Sequence, residues 1–219
     1  MDRNVANNVK TKPYVETTDH GLYLPVMEAF NTLQGEGFHQ GAAAFFIRLG
    51  GCDVQCTWCD VKESWPMENH PLRTVDALVG DAKKRPSEIV VITGGEPLMH
   101  ELGPLTEKLK HAGKRTNLET SGAYPLSGTW DWICVSPKKF KASRPEVLAQ
   151  ADELKVVIFH PSDLQWAESF VPMLKQGCKL YLQPEWSKRE RVLPLILDYI
   201  KAHPRWLLSL QVHKFIGIP

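Results

Sequence analysis

Eight short apolar runs separated by amphipathic segments constrain this chain's fold more than any other feature. They cover 22–30, 44–49, 88–93, 115–119, 130–135, 153–159, 179–183 and 206–212. Val, Ile, Phe, Tyr and Trp enrich them and Gly, Pro and Ser bound them, which predicts strands. Between them, apolar residues recur at helical spacing. Val75, Leu78, Val79 and Ala82 follow Thr74, a helix N-cap, while Leu98, Leu102, Leu105 and Leu109 lead to a stop at Gly113. Ser162 opens a run carrying Leu164, Ala167, Phe170, Val171 and Leu174. Ser187 and Glu190 form a capping-box pattern ahead of 192–200, where Pro194 could restart the helix. This alternation predicts an α/β fold of parallel strands joined by crossover helices, and the apolar strands imply a sheet covered on both faces. Residues 1–21 are polar and aperiodic, and are expected as a flexible N-terminal extension to a single domain over 22–219.

Polar motifs fall where these strands end. Thr93-Gly94-Gly95-Glu96-Pro97, Glu119-Thr120-Ser121-Gly122, Ser136-Pro137-Lys138 and Gln183-Pro184 each follow an apolar run, and Gln211, His213 and Lys214 follow the last. Open α/β sheets and α/β barrels build their sites at strand C-terminal ends. One such loop is ordinary turn chemistry; five on one rim predict an active site.

After the second run comes Cys52-x3-Cys56-x2-Cys59. Thiolates select zinc or an iron–sulfur cluster. A structural zinc needs four ligands and no C-x-x-H or H-x-x-H pair follows nearby, so zinc requires a remote fourth ligand. A cubane held by three cysteines leaves one iron open for chemistry. Five cysteines with three clustered do not suggest a disulfide framework, and Cys134 and Cys178 read as buried, inert thiols. The net charge of +1 gives no argument for nucleic acid or an acidic membrane, no run reaches membrane-span length, and a cytoplasmic protein is expected.

Arg48 ends an apolar strand, on the same face as Ala44 and Phe46. A guanidinium there needs an anion, either an internal Asp or Glu or a ligand carboxylate. Gln34 and Glu36, in a short loop with Gly35 and Gly37, form either a turn or a reader of the donor and acceptor edge of a pterin or purine.

LQGEG (33–37), AFFIRLGGC (44–52) with the cysteine cluster, VVITGGEP (90–97), ETSG (119–122), SPK (136–138), LQP (182–184) and VHKFIGIP (212–219) run in the order and spacing of one family. Together they resemble the radical S-adenosylmethionine (SAM) enzymes, and within them the 7-carboxy-7-deazaguanine synthases of the queuosine pathway. Activases of glycyl-radical enzymes share the cysteine spacing but have no reason for LQGEG, Arg48 or the ending. The resemblance implies a compact, modified partial TIM barrel, a homodimer, and a reductant such as flavodoxin or ferredoxin. It implies a [4Fe-4S] cluster that cleaves SAM to a 5′-deoxyadenosyl radical, with no catalytic side chain beyond that radical. The pterin 6-carboxy-5,6,7,8-tetrahydropterin then contracts to 7-carboxy-7-deazaguanine and loses ammonia. By the same resemblance Cys52, Cys56 and Cys59 hold the cluster. Trp58, Cys59, Asp60, Gly95, Ser136, Pro137, Lys138 and Gln183 surround SAM, with Ser121 near its ribose and carboxylate. Leu33, Gln34, Gly35, Arg48, Thr93 and Pro219 contact the pterin. A hydroxyl two places after the last cysteine would ligate Mg2+; here that place is Val61, which has no donor oxygen, and Lys62 is one cation able to replace the ion's charge.

Overall fold

The computed structural model describes residues 20–219, so the expected extension lies, but for its last two residues, outside the described part. Nine strands form one sheet: β1 Tyr23–Leu33, β2 Ala43–Leu49, β3 Leu72–Thr74, β4 Ile89–Gly94, β5 Arg115–Thr120, β6 Trp132–Val135, β7 Glu153–Ile158, β8 Lys179–Pro184 and β9 Trp206–Leu208. The order is β3-β1-β2-β4-β5-β6-β7-β8-β9. From β2 to β9 every pairing is parallel, whereas β1 pairs antiparallel with β2 and β3. Because β3 and β9 do not pair, the sheet stays an open, partial barrel.

Among the described residues six α-helices accompany it: α1 Val75–Lys83, α2 Gly103–His111, α3 Pro145–Leu148, α4 Asp163–Glu168, α5 Arg189–Ala202 and α6 Val212–Ile216. One sheet face packs on helices in a single core, where Phe45, Ile47, Val90, Ile92, Leu118, Leu154 and Leu182 share a cluster with Leu78, Leu105, Leu109 and Ile196. The expected cover on the second face is only partial. There Ala44, Ile89 and Val91 pack with Phe46 at the strands' N-terminal ends. Arg48, Thr93, Glu119, Lys155 and Gln183, further along, line open cavities instead.

Several boundaries differ from the sequence pattern for local reasons. Strand β1 extends to Leu33 because its hairpin with β2 stays paired to Leu33↔Ala43. Thr74 caps α1 as expected, accepting from Ala77 N at 3.2 Å. Leu98 falls in a separate 3-10 turn, Pro97–Met99, and α2 begins only at Gly103. Ser162 holds the N-cap place of α4, but its side chain makes no capping bond; its hydroxyl meets His160 Nδ1 at 3.0 Å, and the run breaks after Glu168 into a 3-10 turn containing Pro172. The Ser187–Glu190 box does not form, because Glu185 accepts from Ser187 N and Lys188 N ahead of α5. Pro194 stays inside α5 on its exposed side, and Glu190, whose carbonyl it deprives of a donor, is exposed too. The last strand stops at Leu208: Ser209, fully buried, turns the chain toward α6.

Candidate active site

Two adjoining cavities open at the C-terminal ends of the strands. One, about 290 Å³, is lined by Leu33, Gln34, Gly35, Arg48, Thr93 and Pro219, which are all six residues expected at the pterin. The other, about 230 Å³, is lined by Cys52, Cys56, Cys59, Trp58, Asp60, Gly95, Ser136, Lys138 and Gln183. Of the residues expected around SAM only Pro137, which is buried, lines neither. Glu36, Arg48, Thr93 and Glu119 border both, so the two spaces share a wall.

The rim of the second cavity is a braced set of loops. Gly95 lies so close to the loop before Cys52 that a Cβ on it would stand 2.2 Å from Gly51 O. Glycine is needed there for two loops of this chain to cross, whatever a ligand requires; Gly95 N donates to Leu49 O and Glu96 N to Gly51 O. Glu96, 1% exposed, accepts from Thr120 Oγ1 (2.5 Å), Leu98 N (3.0 Å), Ser121 N (2.8 Å) and Ser121 Oγ. It thereby ties the GGEP loop to the ETSG loop, and Ser121 is committed to this brace. Lys138 donates to Ser136 O (2.8 Å) and Oγ (2.6 Å), with its ammonium 5.5 Å from the Trp58 ring centre. Burial pushes its pKa down from the usual lysine value. Gln183 accepts from Ser209 Oγ at 2.7 Å, and Ser209 Oγ in turn accepts from Gly37 N.

The floor is charged. Lys155 Nζ lies 2.6 Å from Glu36 Oε2 and 2.8 Å from Glu119 Oε2. Gln211 Nε2 donates to Glu36 Oε1 at 2.9 Å and Gln34 Nε2 to Glu119 Oε1 at 3.1 Å. Burial alone would raise the Glu36 carboxyl, but the Lys155 ammonium and its hydrogen bonds outweigh this and hold it at about 2. Arg48 meets a protein carboxylate after all: its Nε donates to Glu28 Oε1 at 2.6 Å, across the β1–β2 pairing. Among the described residues its two Nη groups have no acceptor, and the residue still lines both cavities. Gly35 lets α6 close over this floor, since a Cβ on it would stand 2.1 Å from His213 Nδ1.

Lys155 was overlooked in the sequence although it carried the same signal as Arg48, a charge inside an apolar run. Glu96 and Ser209 had no such signal; a buried acid in a turn motif and a serine after a strand look like surface residues until the loops are brought together.

The donor sets can be tested against the groups they would hold. Three sulfurs line one cavity, and burial pushes the Cys52 and Cys56 thiols up, Cys56 to about 11. A thiolate there needs a bound metal's charge, which fits a three-cysteine cluster site. Cys134 is buried as expected, with its pKa well above the ordinary thiol value, whereas Cys178 is only partly buried, against expectation, and is pushed to about 11 by desolvation; neither lines either of these two cavities. The SAM set also fits, with glycine backbone, Ser136, Lys138 and Gln183 on one wall. Mg2+ does not fit at Val61. The Val61 carbonyl accepts from Ser64 Oγ (2.7 Å), and Asp60 Oδ2 already takes Lys214 Nζ (2.5 Å) and Gln211 Nε2 (3.0 Å). The cation at this place is Lys214; Lys62 lies over Trp65 instead, 5.8 Å from the ring centre, and lines neither cavity.

Comparison with known proteins gives concordant results. Residues 46–159 match the radical SAM superfamily. A 7-carboxy-7-deazaguanine synthase of Flavobacterium psychrophilum is 47% identical, over 95% of this chain and 99% of that protein. One from Synechocystis is 52% identical, over 89% and 93%. The crystal structure of QueE from Escherichia coli superposes with a TM-score of 0.77 at 31% identity, over 88% of this chain and 95% of that one.

Proposed function

The chain belongs to the 7-carboxy-7-deazaguanine synthase family of radical SAM enzymes, and we propose that its two cavities hold SAM and 6-carboxy-5,6,7,8-tetrahydropterin side by side for ring contraction with loss of ammonia. The observation that carries this reading is the shared wall: Glu36, Arg48, Thr93 and Glu119 border both spaces. When bound, a [4Fe-4S] cluster on Cys52, Cys56 and Cys59 supplies the reductive cleavage of SAM that yields a 5′-deoxyadenosyl radical. The side chains bind and orient. The free Nη groups of Arg48 grip the pterin carboxylate as a bidentate fork. Glu36, Glu119 and Gln34 face the pyrimidine ring with acceptors for its N–H donors. Lys138, Ser136 and Gln183 hold SAM against the GGEP backbone, and Glu96 keeps that backbone in place. Pro219, accepting from Thr32 Oγ1 at 3.2 Å, closes the pterin side and limits water.

The domain spans residues 22–219. Its electron comes from a low-potential carrier such as flavodoxin or ferredoxin, it works as a homodimer, and it acts in the cytoplasm. No described helix is long and apolar enough to cross a membrane. The test is anaerobic incubation with SAM, dithionite and the carboxytetrahydropterin, read by mass spectrometry. A product lighter by one ammonia supports the reading; SAM cleavage without pterin turnover overturns it.

A further inference from the structure

We infer that Lys155 is a positioning residue for substrate recognition: it holds Glu36 and Glu119 as permanent hydrogen-bond acceptors for the amino-bearing edge of the pyrimidine ring. The inference rests on the substrate reading above and adds a residue that the family resemblance does not name.

Three elements converge on this ammonium. Lys155 rises from β7, Glu119 from β5, and Glu36 from the hairpin loop between β1 and β2. The lysine side chain is 5% exposed and both its contacts are short, at 2.6 and 2.8 Å. The far oxygen of each carboxylate is held by an amide, Gln211 on Glu36 and Gln34 on Glu119. Each carboxylate is therefore fixed from two sides while still bordering both cavities. A structural ion pair would be sealed from ligand; this one keeps its acids on the cavity wall.

The charge arrangement has a chemical purpose. Glu153 and Cys134 lie near the lysine on β7 and β6, Lys138 lies beyond β6, and His213 approaches Glu36 from α6. Burial would lower the lysine pKa, but the acidic groups around it outweigh this and raise it well above the ordinary value. The lysine thus stays charged, and Glu36 with it. A ring edge that offers only N–H donors needs partners that never become donors. A protonated carboxyl would turn an O–H toward those N–H groups. Without the ammonium, two neighbouring, partly buried carboxylates repel each other, and as the pH falls one takes a proton.

The test uses the reconstituted holoenzyme with SAM bound, under anaerobic conditions, and measures Kd and KM for 6-carboxy-5,6,7,8-tetrahydropterin at pH 6 and pH 8. Wild type should vary by less than about 2-fold between them, because the acceptors are fixed. Lys155→Met should weaken binding about 100-fold at pH 8 and by about a further 10-fold at pH 6, as one carboxyl takes up a proton when the pH falls. SAM affinity and iron content should stay at wild-type values. Lys155→Arg keeps the charge, so its profile should stay flat.

A folded Lys155→Met holoenzyme with wild-type affinity and a flat profile would overturn the inference. If that variant does not fold, Lys155→Met with Glu36→Gln keeps the group's net charge and still leaves Glu119 without its ammonium, held by Gln34 alone. Binding at least about 10-fold weaker is expected for it, and wild-type affinity would again overturn the proposal. Failure of the wild type to convert the pterin would instead strike at the proposed reaction.

Discussion

Between Gly50 and Val61, the loop carrying Cys52, Cys56 and Cys59 has neither helix nor strand, and Gly51 N to Ser64 O and Cys52 N to Trp65 O are among its few backbone anchors. The floor across the same cavity is built on paired strands, and its charges are cross-bonded from Gln211 through Glu36, Lys155 and Glu119 to Gln34. One wall is thus an irregular loop carrying three thiols, of which Cys56 is buried while Cys52 and Cys59 are partly exposed. The other is complete before any ligand arrives. The difference separates two tasks. On the proposed reading the rim must admit an inorganic cluster and SAM, whereas the floor must recognise the flat pyrimidine ring of the pterin without reorganising.

The strongest way to break this comparison is to remove the metal. Cys52→Ala, Cys56→Ala and Cys59→Ala should each lower SAM cleavage to background, while circular dichroism and thermal melting of the sheet change little. Cys134→Ala, which removes a buried thiol behind the floor, should leave SAM cleavage at wild-type rates. Equal loss from all four variants would show that rim and floor fold as one unit.

Arg48→Ala probes the floor alone. Removing a charge-assisted fork from a desolvated site should cost on the order of 2–5 kcal/mol of pterin binding. Iron content and SAM affinity should be untouched. Arg48→Lys should recover only part, since an ammonium has no fork. Unchanged pterin affinity would leave Arg48 as the partner of Glu28 and nothing more.

Acid gives a subtler separation. The folded Glu36 carboxyl sits at about 2, below its ordinary 4.5, so its contribution to stability is full above pH 4.5 and is lost as the pH falls through about 2. Thiolate ligands compete with protons at much higher pH. Cluster absorbance should bleach near pH 5 while near-ultraviolet dichroism persists. Simultaneous loss would contradict the separation.

How much of this was legible in the sequence depends on the kind of constraint. The parallel strands were visible because apolar runs and their punctuation are local, and the strand-end rule then placed the rim. The two-residue alternation around Arg48 correctly put it on the inner face with Phe46. Cover on both faces was expected and is only partial, because an open barrel lets the inner face change along its length from Val91 to Thr93. The Glu36–Lys155 bond joins residues 119 apart in the chain, and no local pattern encodes that distance. Gly95 and Gly35 were read as ligand approaches, yet their tightest contacts are with Gly51 and His213, a demand set by packing between loops.

The smallest expected effect concerns Mg2+, at the point where rim meets floor. That ion takes oxygen ligands, retains several waters, and is held by one or two protein oxygens together with substrate. Here Val61 contributes no side-chain oxygen, its carbonyl closes a turn with Ser64, and Asp60 is bound by Lys214. The ammonium of Lys214 already brings positive charge to the cavity that it lines with Arg48 and Pro219. Turnover after chelation should therefore rise by less than about 2-fold when Mg2+ is restored, since Val61 offers no side-chain oxygen and Asp60 Oδ2 is held by Lys214 and Gln211. Valine and threonine have nearly the same volume, so Val61→Thr adds the hydroxyl without reshaping the wall. It should raise stimulation by Mg2+ modestly, and more when combined with Lys214→Met, which removes the competing cation. Strong stimulation of the wild type, unchanged in Val61→Thr, would show that substrate and water ligands suffice and that Lys214 does not stand in for the ion.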